Sequence, residues 1–158
     1  MIKLVCVGKI KEKALQSLIG EYLKRLQSYT KVEVIEVDDI ATNQTNSDAQ
    51  NEQVKSKEGL KILTQIKDNE YVVLLSLDGR MYDSVKLSDK LNEIETYKSS
   101  NITFVIGGSL GSSEEVNDRA DMKWQLSELT FTHQMARLLV LEQIYRCYKI
   151  RKNEPYHK

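Results

Sequence analysis

The sequence has a single proline, Pro155, and two cysteines, Cys6 and Cys147, among 158 residues. With the one proline next to the end, no internal segment is broken by a fixed φ and no proline-rich linker divides the chain. Cys6 lies in a strand-like apolar run and Cys147 in a helix-like one, so they offer neither a disulfide framework nor a metal-ligand spacing and read as buried thiols. Long apolar runs are also missing. The stretch from Met1 to Gly8 is too short for a signal peptide or a spanning helix, and nothing later reaches membrane length, which predicts a soluble cytoplasmic protein with no membrane partner. An excess of either charge is lacking too: 23 Lys and Arg stand against 23 Asp and Glu, a balance that argues against an indiscriminate nucleic-acid binder.

The charges are unevenly placed. Residues 8–31 hold six basic side chains against two acidic ones, and residues 133–158 repeat that ratio, while residues 33–70 hold four against nine. If the two basic segments share a face, it can follow a phosphate backbone while the acidic middle turns away. The competing reading is of ordinary solvated helix faces.

The length fits one domain, taken here as residues 1–158, and no internal repeat or low-complexity tract is visible. Residues 2–7 and 32–37 read as strands, and 71–77 and 102–106 are continuous apolar runs of the kind found in central parallel strands. Leu15, Leu18, Ile19, Tyr22, Leu23 and Leu26 recur at helical spacing, as do Val54, Leu60, Leu63 and Ile66, and then Leu87, Leu91 and Ile94. Ser112 with Glu115 suggests a capping box for a short helix, followed by a last strand near 124–129 and a closing helix over His133–Arg151. The expectation is an α/β fold with a largely parallel sheet flanked by helices. Asp38 to Gln50 carries no period and reads as a mobile loop or part of a binding surface. The closing helix carries more apolar positions than one stripe needs, and a second copy of the chain would cover the surplus as a homodimer.

The apolar run Ile102–Ile106 breaks into Gly107-Gly108-Ser109-Leu110-Gly111, followed some twenty residues later by Leu126-Ser127-Glu128-Leu129-Thr130-Phe131-Thr132-His133-Gln134. These segments read as two walls of one pocket at the carboxyl end of a strand, where open α/β sheets bind their ligands. The glycine turn has neither the Lys-Ser/Thr of a Walker loop nor the spacing of the dinucleotide fingerprint, which argues against the familiar triphosphatase and dehydrogenase readings.

Val7-Gly8-Lys9, Leu77-Asp78-Gly79, Phe104 to Gly111, Leu129 to Arg137, Leu141 to Arg146 and the terminal Pro155-Tyr156-His157-Lys158 together resemble the bacterial ribosomal RNA large subunit methyltransferase H family over the whole chain. The resemblance implies a SPOUT-type fold with a C-terminal trefoil knot, S-adenosylmethionine as methyl donor with no metal, and a homodimer. It also implies a substrate, N3 of a pseudouridine in a 23S rRNA stem-loop at the subunit interface of the assembled ribosome. Carried onto matching positions, it places Leu75 and Gly107 in the cofactor pocket, the glycine leaving room for the ligand, and Leu126, Ser127, Glu128, Leu129, Thr130 and Phe131 in a loop around the cofactor.

In-line attack by a uracil-type nitrogen on a sulfonium methyl needs positioning and a way to remove or offset the N3 proton. Arg137, Tyr156 and His157 are the candidates for substrate binding or proton handling. The plainer readings are a salt bridge from Arg137 to Glu142 or a dimer contact, and a solvated terminal His157. His133 reads as a helix-start hydrogen-bonding residue. Asn153 stands where the family commonly has glycine, and Asn is the next most tolerant residue of a left-handed helix end. Two other classes stay open on sequence alone. A noncatalytic adenosylmethionine or nucleotide sensor needs the pocket but not the tail, and a structural ribosome-associated dimer needs the basic faces but no pocket.

Overall fold

Five strands, β1 (Ile2–Val7), β2 (Val32–Val37), β3 (Tyr71–Arg80), β4 (Ile102–Ile106) and β5 (Met122–Trp124), make one parallel sheet in the order β2-β1-β4-β3-β5. They come from a computed structural model describing residues 1–158. Helices α1 (Lys13–Leu26), α2 (Asp48–Leu63), α3 (Ser84–Tyr97) and α4 (Glu114–Arg119) join successive strands, and α5 (His133–Arg151) closes the chain. Alternation along the strands divides the core. Ile2, Leu4, Cys6, Val73, Ile102, Phe104 and Ile106 meet α1, α3 and α5, while Val5, Val7, Val72, Leu74 and Val105 meet the side of α2 and α4. The expected α/β architecture is therefore present, and its continuous apolar strands are those covered on both faces.

Several local expectations are corrected. The buried stripe of α2 is Val54, Glu58, Gly59 and Ile62, whereas Leu60 is exposed and Ile66 lies beyond the helix. Leu18 likewise faces solvent on α1. The cap of α4 is Ser113, whose hydroxyl accepts from the Val116 N–H at 3.3 Å, in place of Ser112. The last strand ends at Trp124, so residues 125–132 are loop. The polar stretch after β2 gives way to α2 at Asp48 through a reciprocal capping box of Ser47 and Gln50, the Ser-x-x-Gln pattern that marks a helix start.

α5 packs against both α1 and α3, and none of its residues from Ala136 to Arg151 is exposed. Val140, Leu141, Ile144, Tyr145 and Tyr148 are buried within the chain, which leaves Met135 exposed and Leu138 and Leu139 half-buried. The surplus apolar face is thus largely used internally and no longer argues for a dimer. α5 ends in a Schellman motif: Asn153, at φ 55°, donates its N–H to the Ile150 carbonyl and Glu154 to the Lys149 carbonyl, each at 3.0 Å. Glu154 then accepts from Tyr29 and Lys149, both at 2.7 Å, which fixes the start of the reversed tail.

The end of β3 folds around the end of β5. Trp124 is in register with both Leu75 and Arg80, and the Gln125 N–H donates to the Arg80 carbonyl at 3.0 Å. A Cβ on Gly79 would sit 2.7 Å from the backbone carbon of Lys123 and the backbone nitrogen of Trp124, so only glycine permits this crossing.

At the amino ends of the strands, the Lys3 ammonium donates to Glu70 at 2.6 Å with both side chains buried, and Thr103 and the Lys67 N–H also donate to that carboxylate. Burial works against the ionised form of Glu70, but Lys3 and the two other donors outweigh it and hold the carboxyl below its usual range. Lys3→Met should lower unfolding free energy by about 3–5 kcal/mol, because it strands a buried charge. The Glu70 contribution should be complete above its ordinary value of 4.5 and should fade as pH falls through the lower folded value. Urea titrations of wild type, Lys3→Met and Glu70→Gln across the acid range check both points, the Glu70→Gln variant lacking that acid-side loss.

Candidate functional site

The carboxyl ends of β1, β4 and β3 open onto two cavities. Here the connections diverge, since the chain leaves β1 toward β2 and leaves β4 toward β5, a switch point of the kind at which open α/β sheets bind ligands. β4 runs into a closed turn in which Gly111, at φ 89°, donates its N–H to the Gly108 carbonyl at 3.0 Å. A Cβ on Gly107 would meet the Ser112 hydroxyl at 2.9 Å and the Gly111 carbonyl oxygen at 3.3 Å. A side chain at 107 would therefore crowd the closed turn as well as the cavity that Gly107 lines.

The larger cavity, about 980 Å³, lies between this turn, the end of β3 and the loop that follows β5. Leu75, Gly107, Leu126, Ser127, Leu129, Thr130 and Phe131 all line it, and Glu128 does not. Its only ionisable lining residues are Asp78 and His133. Asp78 is exposed; the Ser76 hydroxyl and the Lys123 ammonium, 3.4 Å away, hold its carboxyl below the usual range. The smaller cavity, about 90 Å³, lies behind the glycine turn and shares Gly108, Ser109, Leu110 and His133 with the larger one. Glu58 of α2 and Asp39 to Thr42 of the β2–α2 loop form the rest of its polar wall.

Arg137 is buried and lines neither cavity. Its guanidinium donates to Glu36 at 2.6 Å and to the Gly8 carbonyl at 3.0 Å, tying the start of α5 to the ends of β2 and β1. The expected Glu142 partner instead takes Arg146, whose Nε donates to it at 3.0 Å. The tail lies elsewhere again. Tyr156 donates to Glu142 at 3.1 Å, meets the Tyr22 hydroxyl at the same distance and packs edge-on against Tyr145, while His157 meets Arg146 at 3.2 Å. Glu142 and Arg146 are about 14 and 20 Å along α5 from His133, at 1.5 Å per residue. Within one chain, neither Tyr156 nor His157 lines the cavities.

Burial, followed by Tyr22 and Glu142, pushes the Tyr156 phenol above its ordinary range, so it is a protonated donor at neutral pH. Burial also pushes the thiols of Cys6 and Cys147 up to about 12, which removes them as nucleophiles. The residue missed from sequence is Glu58. Val54, Glu58 and Ile62 recur every four residues, so the register already placed this carboxylate on the inner stripe.

Replacing Arg137 with Ala should cost about 2–4 kcal/mol by leaving Glu36 and the Gly8 carbonyl without their donor. Arg137→Lys should recover only part of this, because a single ammonium does not reproduce the forked geometry. Chemical denaturation of the two variants checks the order.

The comparisons agree with this geometry. The family described as "Predicted SPOUT methyltransferase" matches residues 1–157. Proteins named ribosomal RNA large subunit methyltransferase H from Enterococcus faecalis and Listeria monocytogenes are 50% and 48% identical to the chain over 157 residues, with 99% of each protein covered. A third of that name, from Clostridium novyi, is 47% identical over the same length. A parallel sheet whose last strand is wrapped by a neighbour, a ligand-sized cavity at its carboxyl edge and a match along nearly the whole chain lead to one conclusion: the chain belongs to the SPOUT methyltransferase family.

Proposed function

We propose that this protein is an S-adenosylmethionine-dependent methyltransferase of large-subunit ribosomal RNA, acting as a homodimer on N3 of a pseudouridine in a 23S rRNA stem-loop within the assembled ribosome. The observation that carries the reading is the larger cavity. Its volume is at the upper end of ordinary ligand pockets, and its wall is made mainly of loop residues, many of them glycine, small polar or apolar. Such a wall suits an adenosyl group, whose ring edge is read by amides and carbonyls and whose faces are covered by apolar side chains. Leu75, Gly107, Leu126, Ser127, Leu129, Thr130 and Phe131 would hold it, with Glu128 at the outer side of the same loop. The bound cofactor supplies an electrophilic methyl on a sulfonium.

The chain's own part is positioning and charge. Leu126 and Phe131 shield the cavity, and aligned reactants in such a site can lower a barrier by about 7–11 kcal/mol. The cation beside the tail is Arg146, which meets His157, while Arg137 acts as a positioning residue for α5. Arg146 and the protonated Tyr156 offset negative charge on the target base, whose N3 proton passes to solvent water as the bond from N3 to the methyl forms and the bond from the methyl to sulfur breaks.

A tail that lies two to four helical turns from its own cavity favours action over a partner's cavity. Leu77, Met81, Val85, Leu129, Phe131 and Met135 are exposed apolar side chains on segments at the carboxyl edge, Leu77 at 70% of its surface, and they favour burial of that edge against a second copy. The site is then composite, with the tail of one chain over the cavity of the other. The bracketed Trp124 supports the knotted path within a single domain spanning residues 1–158.

Labelled methyl transfer to ribosomes from a strain lacking this protein should yield a methylated pseudouridine in large-subunit RNA, identified by mass spectrometry. Cofactor binding without transfer to any ribosomal particle would favour the sensor reading. Removing Tyr156, His157 and Lys158 should abolish transfer and spare cofactor binding. Mixing that truncated chain with a full-length Ser127→Trp chain should restore transfer, since one mixed site has both an open cavity and a tail. No recovery in confirmed mixed dimers would overturn the composite arrangement.

A further inference from the structure

The carboxylate of Glu58 has no cation. The residue is 5% exposed, and no ion pair reaches it, although the other buried glutamate, Glu70, is neutralised by Lys3. Its Oε2 accepts one hydrogen bond, from the Ile40 N–H at 3.0 Å, and its Oε1 accepts none. Both oxygens lie against Gly108, 3.0 and 3.5 Å from where a Cβ would stand, on the wall of the 90 Å³ cavity. The unpartnered Oε1 keeps contact with solvent through the cavity, and a carboxylate confined there without a cation leaves a ligand to supply one.

The size and sign of the space define that partner. About 90 Å³ admits a few water-sized groups and is too tight for a nucleobase with its sugar. The wall offers acceptors from Glu58, Asp39, Thr42 and Ser109, and its one nitrogen base is His133, with no Lys or Arg. A primary ammonium matches both properties, having three donors and a compact charge. The larger cavity shares Gly108, Ser109, Leu110 and His133 with this space, and the one carboxylate on its own lining, Asp78, is exposed and already engaged by Lys123 and Ser76.

Resting on the function proposed above, we infer that the small cavity is the subsite for the α-ammonium of the cofactor's methionine part, with Glu58 as its counter-ion. The adenosyl end occupies the larger cavity, and the amino-acid end passes the glycine turn to reach the buried carboxylate. Glu58 is then a cofactor-binding residue contributed by α2, from the face of the sheet opposite α5.

Calorimetry with three probes tests this: S-adenosylmethionine, its analogue lacking the α-amino group, and 5′-methylthioadenosine, which lacks the whole amino-acid end. Wild type should bind the complete cofactor about ten-fold or more tighter than the deaminated analogue, a typical return for a charge-assisted contact. Glu58→Gln, which keeps the acceptor for Ile40, should lose that preference and bind methylthioadenosine as wild type does. Glu58→Asp, charged but shorter, should retain part of the preference. If Glu58→Gln weakens all three probes by one common factor, the carboxylate only braces the turn and the inference is overturned; an unchanged preference overturns it equally. A wild-type protein that binds none of the three would instead sink the methyltransferase reading, and the subsite with it.

Discussion

The forked contact of Arg137 is the constraint on which the site depends. One guanidinium, wholly inside the protein, holds the Gly8 carbonyl at the end of β1 and the Glu36 carboxylate near the end of β2. It thereby fixes where α5 begins, and the loop from Gln125 to Thr132 must span from the wrapped end of β5 to that fixed point. Loop closure between two anchored ends leaves few conformations, so the wall of the larger cavity is set by tertiary geometry more than by its own sequence. The glycine turn after β4 is closed by its own hydrogen bond and forms the opposite wall. Two walls with independent supports make a cavity organised before any ligand arrives, which lowers the entropic cost of binding.

Most of the fold was legible because its signals are periodic. The strands at 2–7, 32–37 and 102–106 and the closing helix at 133–151 begin and end where the apolar patterns do. Errors arose where burial departs from hydrophobicity. The inner stripe of α2 contains a glutamate and a glycine while Leu60 faces water, so a reading that followed leucines chose the wrong face. The apolar face of α5 has a use that its periodicity does not reveal. Periodicity cannot say that a helix lies in a groove between two others, and α5 is covered by α1 and α3 as well as by the sheet.

The loop expected around a cofactor rested on whole-chain resemblance, and its residues from Leu126 to Phe131 line the larger cavity except for Glu128. The basic side chains were harder to place. Arg137 and Arg146 lie nine residues apart on one helix, and sequence spacing does not reveal that the first is enclosed at the strand ends while the second faces the tail. Burial is a property of the assembled layers, and it divides these two arginines between a structural and a surface role. The tail was legible through Asn153: a residue tolerant of positive φ stood where the chain had to reverse, and the structure uses it for that purpose.

The two thiols have a practical consequence. Cys6 sits in the central strand region and Cys147 in the closing helix, and both are buried and protonated. A thiol reagent reacts with the thiolate of an accessible cysteine, so neither position is open to it while the sheet and α5 stay packed. The chain thus carries two built-in reporters of opening, one for each of the elements that define the site. Their relative labelling rates would tell whether α5 can lift from the sheet as a unit or whether strand and helix are released only together, in a single cooperative event.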